Sequence, residues 1–181
     1  MVRKETAADR RKRRAAGIGA AIALAFVIGG AAPAGAADDP LLSRLVGEWI
    51  GNGTVRMGPK AEPERVFCKI VATMVGGTSI RQQGRCSVAS NSGAMTSTIS
   101  AKGGGRYDGS MSAPQVGTAA FSGNGSGNHL TLSAGFVDAK TQEKRKAIVS
   151  MNLSGATYRV TTTNAGDDGS YVASDITFKK K

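Results

Sequence analysis

The sequence predicts an all-β fold: an antiparallel up-and-down meander that closes into a barrel of about eight to ten strands. Apolar and polar residues alternate with a period of two in successive runs between residues 47 and 178, which places one face of each strand in a core and the other in water. Clusters of Gly, Asn, Ser or Pro separate the runs, and no stretch carries a long helical period. Short strands at this spacing are typical of all-β barrels.

The first 36 residues have the composition of an export signal. Basic residues crowd the start, an apolar run extends from Ala15 to Ala32, and Ala34-Gly35-Ala36 fits the small-x-small cleavage rule. We therefore expect a cleavable signal over residues 1–36 and one barrel domain over 37–181, periplasmic or secreted, with no later membrane span. A retained anchor is the alternative, because the run approaches spanning length. Arg10-Arg11 leaves the choice between the general and the twin-arginine export route open.

The net charge of +11 belongs in large part to that signal. Residues 1–36 hold seven basic and two acidic residues, which leaves 17 basic and 11 acidic residues and a charge of +6. This excess favours an anionic envelope surface or an acidic partner, or it is ordinary solubilising charge. The basic clusters Lys140 to Lys146 and Lys179-Lys180-Lys181 contain no aromatic residues for base stacking, so no nucleic-acid partner is predicted.

The mature chain is expected to begin with a short apolar turn or 3-10 helix over Pro40 to Leu45. A glycine-spaced strand follows from Val46 to Val55 and contains the only tryptophan, Trp49. Alternation places Trp49 on one face of this strand together with Gly51, Gly53, Val55 and Met57.

The next two runs predict a hairpin that carries both cysteines. Val66 to Met74 and Ile80 to Val88 alternate on either side of Gly76-Gly77. If the turn is centred on Gly77, paired residue numbers sum to 154, so Cys68 faces Cys86 at disulfide distance. An even cysteine count in an exported chain favours a disulfide over free thiols, and two cysteines are too few for a closed metal site.

The later runs are fainter but keep the alternation. Turn residues bound predicted strands over Met95–Ala101, Gly105–Met111, Val116–Ser122, His129–Phe136, Ala147–Leu153, Tyr158–Val160 and Val172–Phe178. In the last of these, Val172, Ser174, Ile176 and Phe178 share one face. The glycine-rich segment Ser122 to Asn128 is predicted to be a mobile loop.

The sequence offers no catalytic constellation. His129 is the only histidine, and no Gly-x-Ser-x-Gly nucleophile turn occurs. Gly103-Gly104-Gly105 lacks the lysine of a phosphate loop, and Asp167-Asp168-Gly169 lacks the ligand spacing of a calcium loop. We therefore expect a protein that is not an enzyme and that holds no metal and no cofactor.

The step Gly47-Glu48-Trp49, at the first strand of an all-β exported chain, resembles the entry motif of the calycin superfamily, which includes lipocalins, avidins and fatty-acid-binding proteins. The pattern from Leu41 to Phe178 is also similar to small lipocalin-like envelope proteins of bacteria. The resemblance implies that Trp49 closes one end of the barrel against a basic residue, with Arg44, Arg159 and Lys179 as candidates. It also implies a ligand inside the barrel.

On this resemblance we expect a monomeric carrier of a small, mainly apolar molecule. The candidate lining residues are Trp49, Met57, Met74, Tyr107, Met111, Leu132 and Phe136. Core packing is the alternative role for each of them, and the small inward residues either leave a cavity or let a narrow barrel close on itself. The alternative function is a protein-interaction module, such as a periplasmic protease inhibitor or an envelope-associated structural protein. Its contacts would lie at Ala37 to Pro40 and Gly123 to Asn128.

Overall fold

Ten antiparallel strands form a closed barrel, in which consecutive strands pair with each other and the first pairs with the last. This computed structural model describes residues 37–181 except 90, 114–116, 138–143 and 167–168, so the predicted export signal lies outside the described residues. The predicted up-and-down barrel is confirmed. Its elements are α1 (Pro40–Leu45), β1 (Gly47–Val55), β2 (Glu64–Val75), β3 (Ser79–Val88), β4 (Asn91–Ala101), β5 (Arg106–Ala113), β6 (Gly117–Ser126), β7 (His129–Val137), β8 (Lys144–Ser154), β9 (Thr157–Gly166) and β10 (Gly169–Lys180).

The predicted N-terminal turn is a short α-helix that covers one end of the barrel. Asp39 caps it by accepting hydrogen bonds from the backbone N–H groups of Leu41 and Leu42, and Pro40 follows at the first helical position. The Asp39 N–H in turn donates to the Gly77 carbonyl, 2.8 Å away, in the β2–β3 turn. We call the end covered by α1 the helix end, and the opposite end, where β1 finishes and β10 starts, the open end.

The β2–β3 hairpin has the register that the sequence predicts. Val75 pairs with Ser79 and Cys68 with Cys86, and Gly76 and Gly77 both adopt positive φ in the turn. The Cys68–Cys86 disulfide is confirmed.

The mobile loop predicted over Ser122 to Asn128 is wrong for most of that segment, because β6 continues to Ser126. Gly123 pairs with Leu132 and Gly125 with Leu130 in the ladder to β7. A Cβ at Gly125 would lie 2.8 Å from the Tyr107 ring. This glycine therefore marks a strand position that a neighbouring ring approaches closely, rather than a flexible turn.

Aromatic rings fill the barrel interior in the half nearest the helix. Trp49 meets Tyr158 edge-on and Tyr158 stacks on Phe178, with ring centroids 4.6 Å apart in both pairs. The Phe178 ring also covers Gly51, where a Cβ would collide with it. Small residues in this half therefore leave space that aromatic rings occupy. Of the two predicted outcomes, a cavity or a filled barrel, this half of the barrel is filled.

Candidate ligand site in the open half of the barrel

On strands β9 and β10, inward-facing side chains become more exposed from the helix end to the open end. On β9, Tyr158 is 2% exposed, whereas Val160, Thr162 and Asn164, at successive inward positions, are half-buried. Strand β10 repeats the gradient, from buried Phe178 to half-buried Ile176. Solvent therefore reaches the interior of the open half beside β9 and β10, whereas Val66 and Ala119 in the same half are buried. The helix half is packed.

Apolar side chains form most of the wall of this open half, which we call the cup. Nine of them are half-buried at inward positions and, as partly buried hydrophobic residues, pack against the core: Val55, Cys86, Val88, Met95, Met111, Phe136, Val149, Val160 and Ile176. An apolar wall that water can reach is the usual lining of a small-molecule site.

Polar side chains lie at the rim of the cup. Asn164 pairs with Ala147 on one side and Tyr171 on the other, and its Nδ2 donates to the Tyr171 hydroxyl at 3.4 Å. Its Oδ1 is buried, and the described residues offer that atom no hydrogen-bond partner. Arg145 is half-buried at the inward position opposite Phe136. The cup therefore combines an apolar wall with hydrogen-bonding groups at its rim.

Sequence alternation missed Tyr171 because the last strand contains a bulge. The register of β10 against β9 shifts between Val172 and Ser174, which reverses the facing of the residues before it. Val172, predicted on the face of Ser174, Ile176 and Phe178, is 49% exposed instead, and that prediction is wrong. A bulge of this kind leaves no mark in the polar-apolar pattern.

Six of the predicted lining residues occupy inward positions of the two halves. Trp49, Tyr107 and Leu132 are 2, 6 and 2% exposed in the packed core of the helix half. Met111 and Phe136 are half-buried in the cup. The structure therefore divides the predicted set, and only the last two lie on the half-buried wall of the cup.

Of the other two predicted lining residues, only Met57 lies outside the barrel wall. Met74 is half-buried at an inward position near the helix end of β2, where it pairs with Ile80 and packs against the core. Met57 lies beyond β1, which ends at Val55, and is 60% exposed. The alternation that placed Met57 inside stops with the strand, so its side chain does not contribute to the barrel wall.

Trp49 packs beneath Lys180, and none of the three basic candidates named from the resemblance is its partner. The two residues are paired across β1 and β10, and the Lys180 Nζ lies 5.5 Å from the indole ring centroid. Gly47 has a φ of +132°, and a Cβ there would lie 2.7 Å from Lys180 Cε. Glycine at the Gly-x-Trp step is thus explained by its positive φ, which residues with a side chain rarely adopt. The expectation of Arg44, Arg159 or Lys179 is wrong.

Tyr107 joins the barrel to the segment before the helix. Its hydroxyl donates to the Asp39 carboxylate, with oxygen distances of 3.2 and 3.3 Å. Burial, and then the charge and hydrogen bond of Asp39, raise the pKa of Tyr107 to about 12. The segment predicted to contact a protein partner, Ala37 to Pro40, therefore contains a residue that is already engaged within the fold.

His129 lies on the exposed surface. Its two ring nitrogens are 2.7 Å from Asn152 Oδ1 and 2.8 Å from Thr131 Oγ1. Across the part of the chain that the structure describes, no three His, Cys, Asp or Glu side chains gather where a metal ion could bind. Within the same residues, no helix has the length and apolar character needed to cross a membrane.

Comparison with known proteins supports the barrel at the level of fold. The chain matches no protein-family model and no curated protein. The crystal structure of Rv2717c from M. tuberculosis is similar, with a TM-score of 0.64 at 16% sequence identity over 80% of this chain and 99% of that chain. The structure of EF1p2_mFAP2b bound to DFHBI has a TM-score of 0.44 at 13% identity over 78% and 97% of the two chains. At these identities the first likeness shows a lipocalin-like barrel fold alone, and the second supports no conclusion.

Proposed function

We propose that this protein is an exported, non-enzymatic, lipocalin-like member of the calycin superfamily that binds a small, mainly apolar molecule in the cup. The observation that carries the proposal is the contrast between the halves: Tyr158 and Phe178 fill one, while Val160 and Ile176 line accessible space in the other. Export is supported by the composition of residues 1–36.

The cup favours an amphiphilic molecule whose apolar part enters first. Apolar transfer from water contributes about 25 cal/mol per Å² of buried surface, and the half-buried wall residues supply that surface. At the rim, the Tyr171 hydroxyl accepts from Asn164 Nδ2 and can donate its own hydrogen to a polar head. Because the helix half is packed, the bound molecule must be short.

A blocking substitution tests the site. The full-length chain is expressed, the purified protein is titrated with decanol, and backbone amide shifts are followed by NMR. We expect shifts at the inward positions of β8 to β10, and we expect Val149→Phe to weaken binding at least tenfold by filling the cup. The matched control is Ile148→Phe, one residue away on the same strand but 44% exposed on the outer face, which should bind as the wild type does.

Two results would count against the proposal. Equal binding by Val149→Phe and the wild type would place the ligand outside the cup. For export, we expect the chain in the periplasmic fraction with a new N-terminus at Ala37. An unprocessed chain in the cytoplasm would contradict the export part of the proposal.

A further inference from the structure

The outer face of β2 is unusual for a solvated surface. Its outward residues from Arg65 to Val75 are all exposed, and three of them are large and apolar: Phe67 at 40%, Val71 at 49% and Val75 at 48%. Cations alternate with them, and the Lys69 Nζ lies 5.7 Å from the Phe67 ring centroid. A solvated face of an antiparallel sheet is ordinarily polar.

Two cations of this surface face each other directly. Lys69 on β2 pairs with Arg85 on β3, an arrangement that destabilises a sheet. Arg85 donates to the Ser92 hydroxyl at 3.2 Å, which orders the guanidinium without neutralising it. Along the exposed outward positions of β1, β3 and β4 as described, the one acid is Glu48, and its carboxylate is already bonded to Lys181 at 3.2 Å. Along the described outward positions of β1 to β4, no carboxylate is therefore left to neutralise Lys69 and Arg85.

A recess lies on this outer surface beside the opposed cations. Its volume is about 280 Å³. Its lining includes the apolar Ile50 and Val71, the amide Gln83, the cation Lys69, and the ion pair of Glu48 with Lys181. An apolar recess bordered by cations matches an apolar side chain flanked by carboxylates.

We propose that the outer face of β1 to β3 is a docking surface for an acidic segment of a partner protein. An apolar side chain of the partner enters the recess, while carboxylates of the partner lie between Lys69 and Arg85. This function is separate from ligand binding in the cup, because all of these side chains point away from the barrel interior. A closed barrel has no free strand edge, so a partner cannot add a strand and must be recognised through side chains.

A lipid surface fits this face less well than a protein does. A bilayer accepts apolar groups that protrude from a surface, whereas Ile50 and Val71 border a recess. A concave site requires a protruding side chain, which a polypeptide supplies.

The test uses protein purified from expression of the full-length chain and a dye-labelled synthetic peptide with one leucine flanked by glutamates. We expect binding at low salt, with NMR shifts at Ile50, Lys69, Val71 and Arg85. Lys69→Glu should weaken peptide binding at least tenfold while leaving the unfolding temperature unchanged or higher, because the new carboxylate faces Arg85. A merely structural role for Lys69 would lower the unfolding temperature instead.

A matched charge reversal and a second peptide serve as controls. Lys146→Glu changes the net charge equally on an exposed outer position of β8 and should bind the peptide as the wild type does. A peptide with glycine in place of leucine should bind more weakly. The proposal is overturned if the leucine peptide does not bind, if both reversals weaken binding equally, or if the face binds only vesicles of phosphatidylcholine and phosphatidylglycerol.

Discussion

At the scale of single residues, the interior glycine Gly51 is explained by the ring that lies over it. Gly51 lies beneath the ring of Phe178, and that ring is held by its stack on Tyr158, which in turn meets Trp49. Core rings in such a contact cannot move without disturbing their neighbours, since protein interiors are close-packed. Glycine at this position is therefore a packing requirement of the helix half.

We predict that Gly51→Ala destabilises the protein by about 1–3 kcal/mol, the usual range for overpacking a core. The matched control is Gly135→Ala, a strand glycine with no atom within 4 Å of the added Cβ, which should be neutral or slightly stabilising. Urea unfolding followed by circular dichroism measures both. An equal effect at the two positions would show that the Phe178 ring does not restrict Gly51.

The correct partner of Trp49 was readable from the sequence. Phe178 faces inward, so Lys180, two residues later, faces the same way, while Lys179 faces out. The alternation of side chains along the strand therefore indicates Lys180 as the partner of Trp49, whereas the resemblance to calycins does not. The contact of Tyr107 with Asp39 could not be found in this way, because it joins residues 68 apart across a barrel end.

At the scale of elements, alternation and turn glycines determine pairing where the strands are strongly patterned. The β2–β3 register followed from one turn glycine and two cysteines, and it is confirmed. The same reasoning fails for the C-terminal part of β6, because it predicts a loop where the strand continues to Ser126. The sequence does not distinguish a glycine that makes room for a ring from a glycine that forms a turn. Only the residues around each glycine in the folded structure distinguish them.

We predict that the contact between the helix segment and β5 weakens at alkaline pH. The pKa of Tyr107 is raised from 10 to about 12 in the folded chain, so its contribution to stability is complete below pH 10 and is lost as the pH rises toward 12. Tyr107→Phe should therefore lose less stability over that interval than the wild type. Burial also raises the pKa of Tyr158, so some alkaline loss should remain.

Urea unfolding of both proteins at a series of pH values between 8 and 12 measures this difference. Asp39→Asn provides a second check, because removal of the carboxylate lowers the pKa of Tyr107 in the folded chain and should therefore reduce the alkaline loss of stability. Identical pH dependence in the wild type and Tyr107→Phe would contradict the assignment.

At the scale of the whole molecule, the barrel combines a packed half and an accessible half. The barrel topology could be predicted from period-two runs between turns, and the structure confirms it. The division into two halves could not be predicted from the sequence, because residues such as Ile80 and Ile176 occupy similar inward positions in the alternation. What separates them is where each lies along the barrel axis and whether helix α1 covers that end.

We predict that this division is measurable as a difference between two identical substitutions. Ile80 is 0% exposed in the helix half and pairs with Met74 and Ile99, so Ile80→Ala leaves a cavity and should cost about 2–5 kcal/mol. Ile176 is half-buried in the cup, where water can occupy the space left by its side chain, so Ile176→Ala should cost less.

Urea unfolding at one pH gives the free energy of unfolding of each variant. Decanol titration of the same two variants tests whether the substituted side chain contributes to ligand binding. Ile176→Ala should weaken decanol binding, because it removes apolar surface from the cup, whereas Ile80→Ala should bind decanol with wild-type affinity as long as it is folded. If the two substitutions cost the same free energy and neither changes decanol binding, the open half is packed like the helix half. The cup then has no room for a ligand.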